Sequence, residues 1–258
     1  MNWKIIHIDE TDSTNRWLCN NPSLFRDNPS LLDNKGGLLS DNEIGIGVVV
    51  VADYQTAGRG CGTNRWESER GKNLLFSVML HPENVPANRQ FQISRAISLA
   101  IVDALGEWVG DLSIKWPNDI YWRNGKLAGI LIENSLQGSM IRDCIIGVGL
   151  NVNQRAFHSD APNPVSLWQI CGQEFDREQI LEEILKRLGQ NMAPSNLHGL
   201  REKYCSQLYR RKGFHPYTDK EGAFMAEIVD VEDDGHLRLR DEEGEERRYA
   251  FKEVSFII

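Results

Sequence analysis

The 258-residue sequence has no apolar run long enough to span a bilayer, and Asp9, Glu10 and Asp12 break any apolar stretch near Met1. Neither a membrane protein nor an export signal is expected. Positive charge is also scarce: the net charge is −8. Between Asp219 and Glu253, 13 acidic and 6 basic residues give −7, which leaves −1 for the rest of the chain. No broad basic face follows, which argues against non-specific nucleic-acid binding. The five cysteines, Cys19, Cys61, Cys144, Cys171 and Cys205, are scattered and form no C-x-x-C pair. That excludes a zinc ribbon and points to a reducing, cytoplasmic setting. The six histidines are dispersed as well, so no metal ligands can be named. Two phosphate motifs are missing. Trp66 stands where a P-loop needs glycine, and Gly58-Arg59-Gly60 leads into a strand pattern, not into the helix of a dinucleotide fold.

What is present centres on Asp53 to Leu80. Gly47 to Ala52 is an apolar β-branched run that reads as a buried strand, and Asn73 to Leu80 reads as another. The intervening loop holds Gly58, Gly60, Gly62 and Gly71, with Arg59, Arg65, Arg70 and Lys72. Glycine lets backbone N–H groups approach a ligand, and arginine offers a planar fork to phosphate or carboxylate oxygens. A cationic glycine loop between buried strands is either an anion cradle or a hairpin with a solvated tip.

Before this loop, Trp3 to Ile8 reads as a strand. Asp9 to Asn15 offers helix caps, with a helix starting at Arg16 to Cys19. Asn20 to Asn42, rich in Asn, Pro, Asp and Gly, reads as a long surface loop. After it, Asn88 to Val109 has helical apolar spacing through Ile93, Ile97, Ile101 and Leu105. Leu112 to Val152 reads as a meander, with Asn124-Gly125 as a type I′ turn. Lys115 and Lys126 stand among apolar neighbours and need an anionic partner or a shifted pKa, unless they are exposed turn or snorkelling residues. Gly147 and Gly149 leave room for a backbone or a flat group beside a strand. Asp176 to Asn191 reads as a helix opened by an Asp176/Gln179 capping box, and Leu197 to Leu208 as another. From Gly213 on, short alternating segments separated by Asp233-Asp234-Gly235 and Glu243-Gly244 predict a small all-β barrel. The expected division is 1–210 and 211–258.

Five ordered stretches carry a resemblance. They are Thr11 to Asn15; Gln55 to Gly60 with Trp66; Gly71 to Asn73; Lys115 to Asp119 with Lys126 to Ile130; and Gly147 to Asn153. In this order they resemble the biotin–protein ligases, in the form that lacks an N-terminal DNA-binding domain. The resemblance covers nearly the whole chain. It implies an α+β fold: a mixed-sheet catalytic domain of class II synthetase type with packed helices, then an SH3-like barrel. It also implies that biotin and ATP react to biotinyl-5′-adenylate with Mg²⁺ present, and that biotin then passes to a lysine on the acceptor domain of a biotin-dependent carboxylase. Lipoate–protein ligases share the fold and this adenylate logic. A biotin-responsive binding protein without turnover is the non-enzymatic alternative.

By the same resemblance, Arg59 and Lys126 face the phosphate and carboxyl groups, with Lys115 nearby. Ser13, Thr14, Asn15 and Gln55 bond the biotin end, and Trp66 offers a face to adenine. Gly58, Gly60, Cys61, Asn118, Gly129 and Asn151 complete the expected contacts. The loop departs from the family pattern at Cys61, where members usually carry a basic or amide side chain, and at Gly62, since their third glycine falls at Thr63. Sheet-edge dimers and monomers look alike at this level, so a homodimer stays open.

Overall fold

The computed structural model describes residues 2–22, 24, 46–82, 85–159, 161–197 and 199–258. Most of the loop expected over Asn20 to Asn42 lies outside them. A seven-stranded sheet forms the frame: β1 (Asn2–Thr11), β2 (Ile46–Gln55), β3 (Leu74–Leu80), β4 (Leu112–Lys115), β5 (Asp119–Trp122), β6 (Gly125–Gln137) and β7 (Met140–Leu150). Its order is β1-β2-β3-β7-β6-β5-β4. Only β1 and β2 run parallel, so the sheet is mixed.

The continuous valines of β2 reflect burial on both faces. Val49 and Val51 point into the large core, while Val48 and Val50 pack with Leu18, Met79 and Ile145 beneath α1 (Thr14–Asn20). Each such valine contributes roughly 1.5–3 kcal/mol by leaving water. On the large-core side lies α2 (Phe91–Leu105), in which Asp103 alone is not buried. It is shorter than the Asn88–Val109 reading because a 3₁₀ turn, Ala87–Arg89, precedes it. The short helix α3 (Leu167–Cys171) is followed by α4 (Arg177–Asn191), which packs on α2. The Asp176 carboxylate caps α4 through Glu178 N and Gln179 N; only this half of the expected box is formed. The Leu197–Leu208 reading resolves into two pieces, α5 (Pro194–Leu197) and α6 (Leu200–Ser206). No helix among the described residues is long and apolar enough to cross a membrane.

One turn is shifted from expectation. Trp122 pairs with Gly125, so the turn residues are Arg123 and Asn124, and the positive φ (50°) falls on Arg123. Gly125 serves a different purpose: a Cβ there would sit 2.8 Å from Val165 Cγ1.

The C-terminal strands are β8 (His215–Asp219), β9 (Gly222–Val231), β10 (Leu237–Asp241), β11 (Glu246–Tyr249) and β12 (Ser255–Phe256). They form an antiparallel sheet in the order β11-β10-β9-β8-β12. The expected barrel is thus a five-stranded sheet whose outer strands, β11 and β12, are not paired to each other. Arg95 of α2 holds this sheet to the first. Only 2% exposed, it bonds Asp233 Oδ1 at 2.8 Å and the carbonyls of Val231 and Glu232 at 2.9 Å. Trp116 Nε1 donates to Gly235 O at 2.9 Å across the same junction. The segment after β11 is thereby carried to the mouth of a cavity in the first sheet.

Candidate active site

The cavity, about 570 Å³, opens at the end of the first sheet. Its wall combines the start of α1, the end of β2, the loop 59–66, the turn between β4 and β5, the middle of β6 and β7, and the C-terminal segment 251–258. That volume lies within the range of small-molecule sites.

One end is a buried, mostly neutral hydrogen-bond network. Thr14 N and Oγ1 donate to Gln55 Oε1 at 2.8 and 3.1 Å. Ser77 Oγ stands 2.7 Å from Thr14 Oγ1 and donates at 2.6 Å to Asn15 Oδ1. Asn15 Nδ2 in turn donates to Glu133 Oε2 at 2.8 Å and Leu131 O at 3.3 Å. Ser13 is the N-cap residue of α1, but its side chain makes no capping bond. The polar side chains of Ser13 to Asn15 therefore face the cavity and do not serve as caps. Gly147 makes the network possible, since a Cβ there would overlap Asn15 Oδ1.

The floor is flat because Gly129 of β6 and Gly149 of β7 are register partners. Trp66 lies across both, and a Cβ on Gly149 would overlap its indole. Trp66 Nε1 is buried and has no hydrogen-bond partner among the described residues.

The other end is ionic. Arg59 Nη2 meets Glu133 Oε1 at 3.0 Å, and Lys126 Nζ meets Asp119 Oδ1 at 2.8 Å. Lys126 Nζ also lies 5.8 Å from the Trp66 ring centre. Lys115 Nζ sits 5.2 Å from the rings of Tyr121 and Phe256. Burial there lowers the Lys115 pKa below the ordinary lysine value, against the pull of Asp119. Arg65 and Lys252 line the wall as well. Among the described residues, five cations thus line the cavity against the carboxylates of Asp119 and Glu133, an excess of positive charge that suits a multiply charged anion.

Ser13, Thr14, Asn15, Gln55, Arg59, Gly60, Cys61, Trp66, Lys115, Asn118, Lys126 and Gly129 are brought to this one cavity. Gly58 and Asn151 are not on its wall. Gly58 closes the base of the loop: its carbonyl accepts from Trp66 N at 3.0 Å, and a Cβ would fall 2.6 Å from Trp66 O. Asn151 Nδ2 ties β7 to Val165 O at 3.1 Å. Arg70 and Lys72 turn away to Glu10 and Glu174. The tip is therefore both a hairpin and part of the cavity wall. Sequence reasoning missed Ser77, Glu133 and the segment 251–258. Ser77 did leave a trace, as the polar residue within Leu-Leu-Phe-Ser-Val-Met-Leu. No group of three His, Cys, Asp or Glu that could hold a metal exists among the described residues. The two carboxylates nearest the cavity's cations, Asp119 and Glu133, are paired with Lys126 and Arg59.

Comparison with known proteins bears on this geometry. Residues 36–151 match the Biotin/lipoate A/B protein ligase family. The bifunctional ligase/repressor BirA of Bacillus subtilis is 31% identical over 224 residues, which cover 82% of this chain and 67% of the relative. The biotin–[acetyl-CoA-carboxylase] ligase of Mycobacterium tuberculosis is 34% identical over 55% of this chain and 53% of its own. The structure of a biotin protein ligase from Aquifex aeolicus, in complex with biotin and ATP, aligns with a TM-score of 0.72 at 26% identity. That alignment covers 98% of this chain and 97% of that one.

Proposed function

The chain belongs to the biotin–protein ligase family, and from that premise we propose that its cavity joins biotin to ATP and passes the biotin to a protein lysine. In the first step a biotin carboxylate oxygen bonds to the α-phosphorus, and the bond to pyrophosphate breaks. In the second, the lysine ε-amine bonds to the acyl carbon and AMP leaves. The protein substrate is a biotin-carrying carboxylase protein, modified on its acceptor domain.

The observation that carries this reading is the convergence of Arg59, Lys115 and Lys126 on the cavity that also holds the Thr14–Ser77–Asn15 network. Fixed cations screen the charge on both reactants and stabilise the pentavalent phosphorus. The network suits a neutral ring with donors and acceptors, as the biotin ureido group is. Trp66 offers an aromatic face close to Lys126. The 59–66 loop, with the C-terminal segment opposite, is suited to exclude water from the mixed anhydride. Two separate sheets support treating 1–210 as the ligase unit and 211–258 as a C-terminal module.

Exchange of labelled pyrophosphate into ATP tests the first step. Exchange that requires biotin, followed by label transfer to an acceptor protein, is expected. Exchange that requires lipoate would assign the site to lipoate ligation instead. Biotin binding without any exchange would make the protein a non-catalytic binder.

A further inference from the structure

We infer that Lys252, carried by the C-terminal segment, contacts the phosphate chain of the nucleotide and supplies the cation that the loop tip lacks. The inference rests on the adenylation reading above. The tip, Cys61-Gly62-Thr63-Asn64, carries no charge. Lys252 lies opposite it on the same cavity wall. Its ammonium occupies the space beside Gly62: a Cβ on Gly62 would fall 2.5 Å from Lys252 Nζ. Gly62 has φ 70° and Lys252 has φ 72°. Left-handed backbone is freely available to glycine, but it is strained for lysine, and such strain gathers at functional positions.

Two of the other four cations on the wall are engaged by carboxylates, Lys126 with Asp119 and Arg59 with Glu133, and Lys115 lies against the Tyr121 and Phe256 rings. Lys252 has no carboxylate partner among the described residues, where its ammonium meets the Phe251 ring at 5.8 Å. An anion entering the cavity thus meets, at the tip, an ammonium from a segment some 190 residues away in sequence. The Arg95 tie fixes the sheet that bears it, so the second sheet completes the nucleotide site. A merely solvated turn lysine would leave ATP affinity unchanged.

The test is the ATP dependence of biotin-dependent pyrophosphate exchange, with biotin affinity and melting temperature measured alongside. Lys252→Ala is expected to raise KM for ATP about tenfold and to leave biotin affinity within about twofold. Lys252→Arg should recover most of the loss. Moving the charge to the loop, in the double variant Cys61→Lys/Lys252→Ala, should bring KM back to within about threefold of the original. An ATP KM within about twofold of wild type in Lys252→Ala overturns the inference. So does a loss that neither rescue restores. A wild-type protein without biotin-dependent exchange overturns the adenylation reading, and this inference with it.

Discussion

At the α1 end of the cavity, Thr14, Asn15 and Ser77 are 4%, 3% and 0% exposed, and they bond to one another. At the loop end, the side chains of Arg59 and Glu133 are 39% and 40% exposed and are joined through charge. A buried neutral network is costly to leave half-made, so it is rigid and selects for shape and hydrogen-bond pattern. An exposed ion pair is worth about 0–1 kcal/mol, so an incoming phosphate can displace Glu133 from Arg59 at little cost. The first end recognises; the second neutralises. Asn15 and Arg59 both bond Glu133, so that carboxylate is where the two regimes meet.

The largest break in this division is Lys126→Ala. The lysine bonds Asp119 and is 33% exposed, so its loss should change unfolding stability by less than about 1 kcal/mol. Exchange activity should nonetheless fall about 10³-fold, because a fixed positive charge aimed at the reacting phosphate is lost. Near-normal exchange would remove the role assigned to it.

A smaller effect at the opposite end is expected from Gly147→Ala. The new Cβ overlaps Asn15 Oδ1, so the network must shift. Biotin affinity should drop about 10- to 100-fold and stability by roughly 1–3 kcal/mol. The KM for ATP should hold nearly constant. Equal losses for both ligands would show that the two ends are not separable.

The smallest effect concerns the tie between the sheets. The Arg95 guanidinium holds the Asp233 carboxyl below the ordinary aspartate pKa of 3.8. A depressed carboxylate pKa stabilises the folded state above the unfolded value, and that stabilisation is lost as pH falls through the folded value. Asp233→Asn should therefore cost roughly 1 kcal/mol at neutral pH, discounted because Asp233 is 46% exposed. The difference should vanish in acid, below the depressed value. Urea melts across pH would show it, and a difference that grew in acid would contradict the sign.

Local pattern made much of this legible. The valine run of β2, the helical spacing of α2 and α4 and the meander from Leu112 onward are read from period and turn chemistry, and the structure has them. The five ordered stretches also delivered most of the cavity wall. What failed was contact across long separations. Glu133 matters because Arg59 and Asn15 reach it from 74 and 118 residues away. Segment 251–258 matters because Arg95 bonds Asp233 from 138 residues away. Periodicity carries no record of such meetings. The shifted Arg123 turn failed for a related reason: Gly125 is needed for the distant Val165 and not for the turn.

The most direct measurement of the central claim is a double-mutant cycle between Arg59→Ala and Lys126→Ala, read on biotin-dependent pyrophosphate exchange. If both groups act on one reacting phosphate, the two losses are coupled, by about 1 kcal/mol or more. Losses that add to within about 0.3 kcal/mol would mean the two cations serve separate ends, and the shared-phosphate account would be wrong.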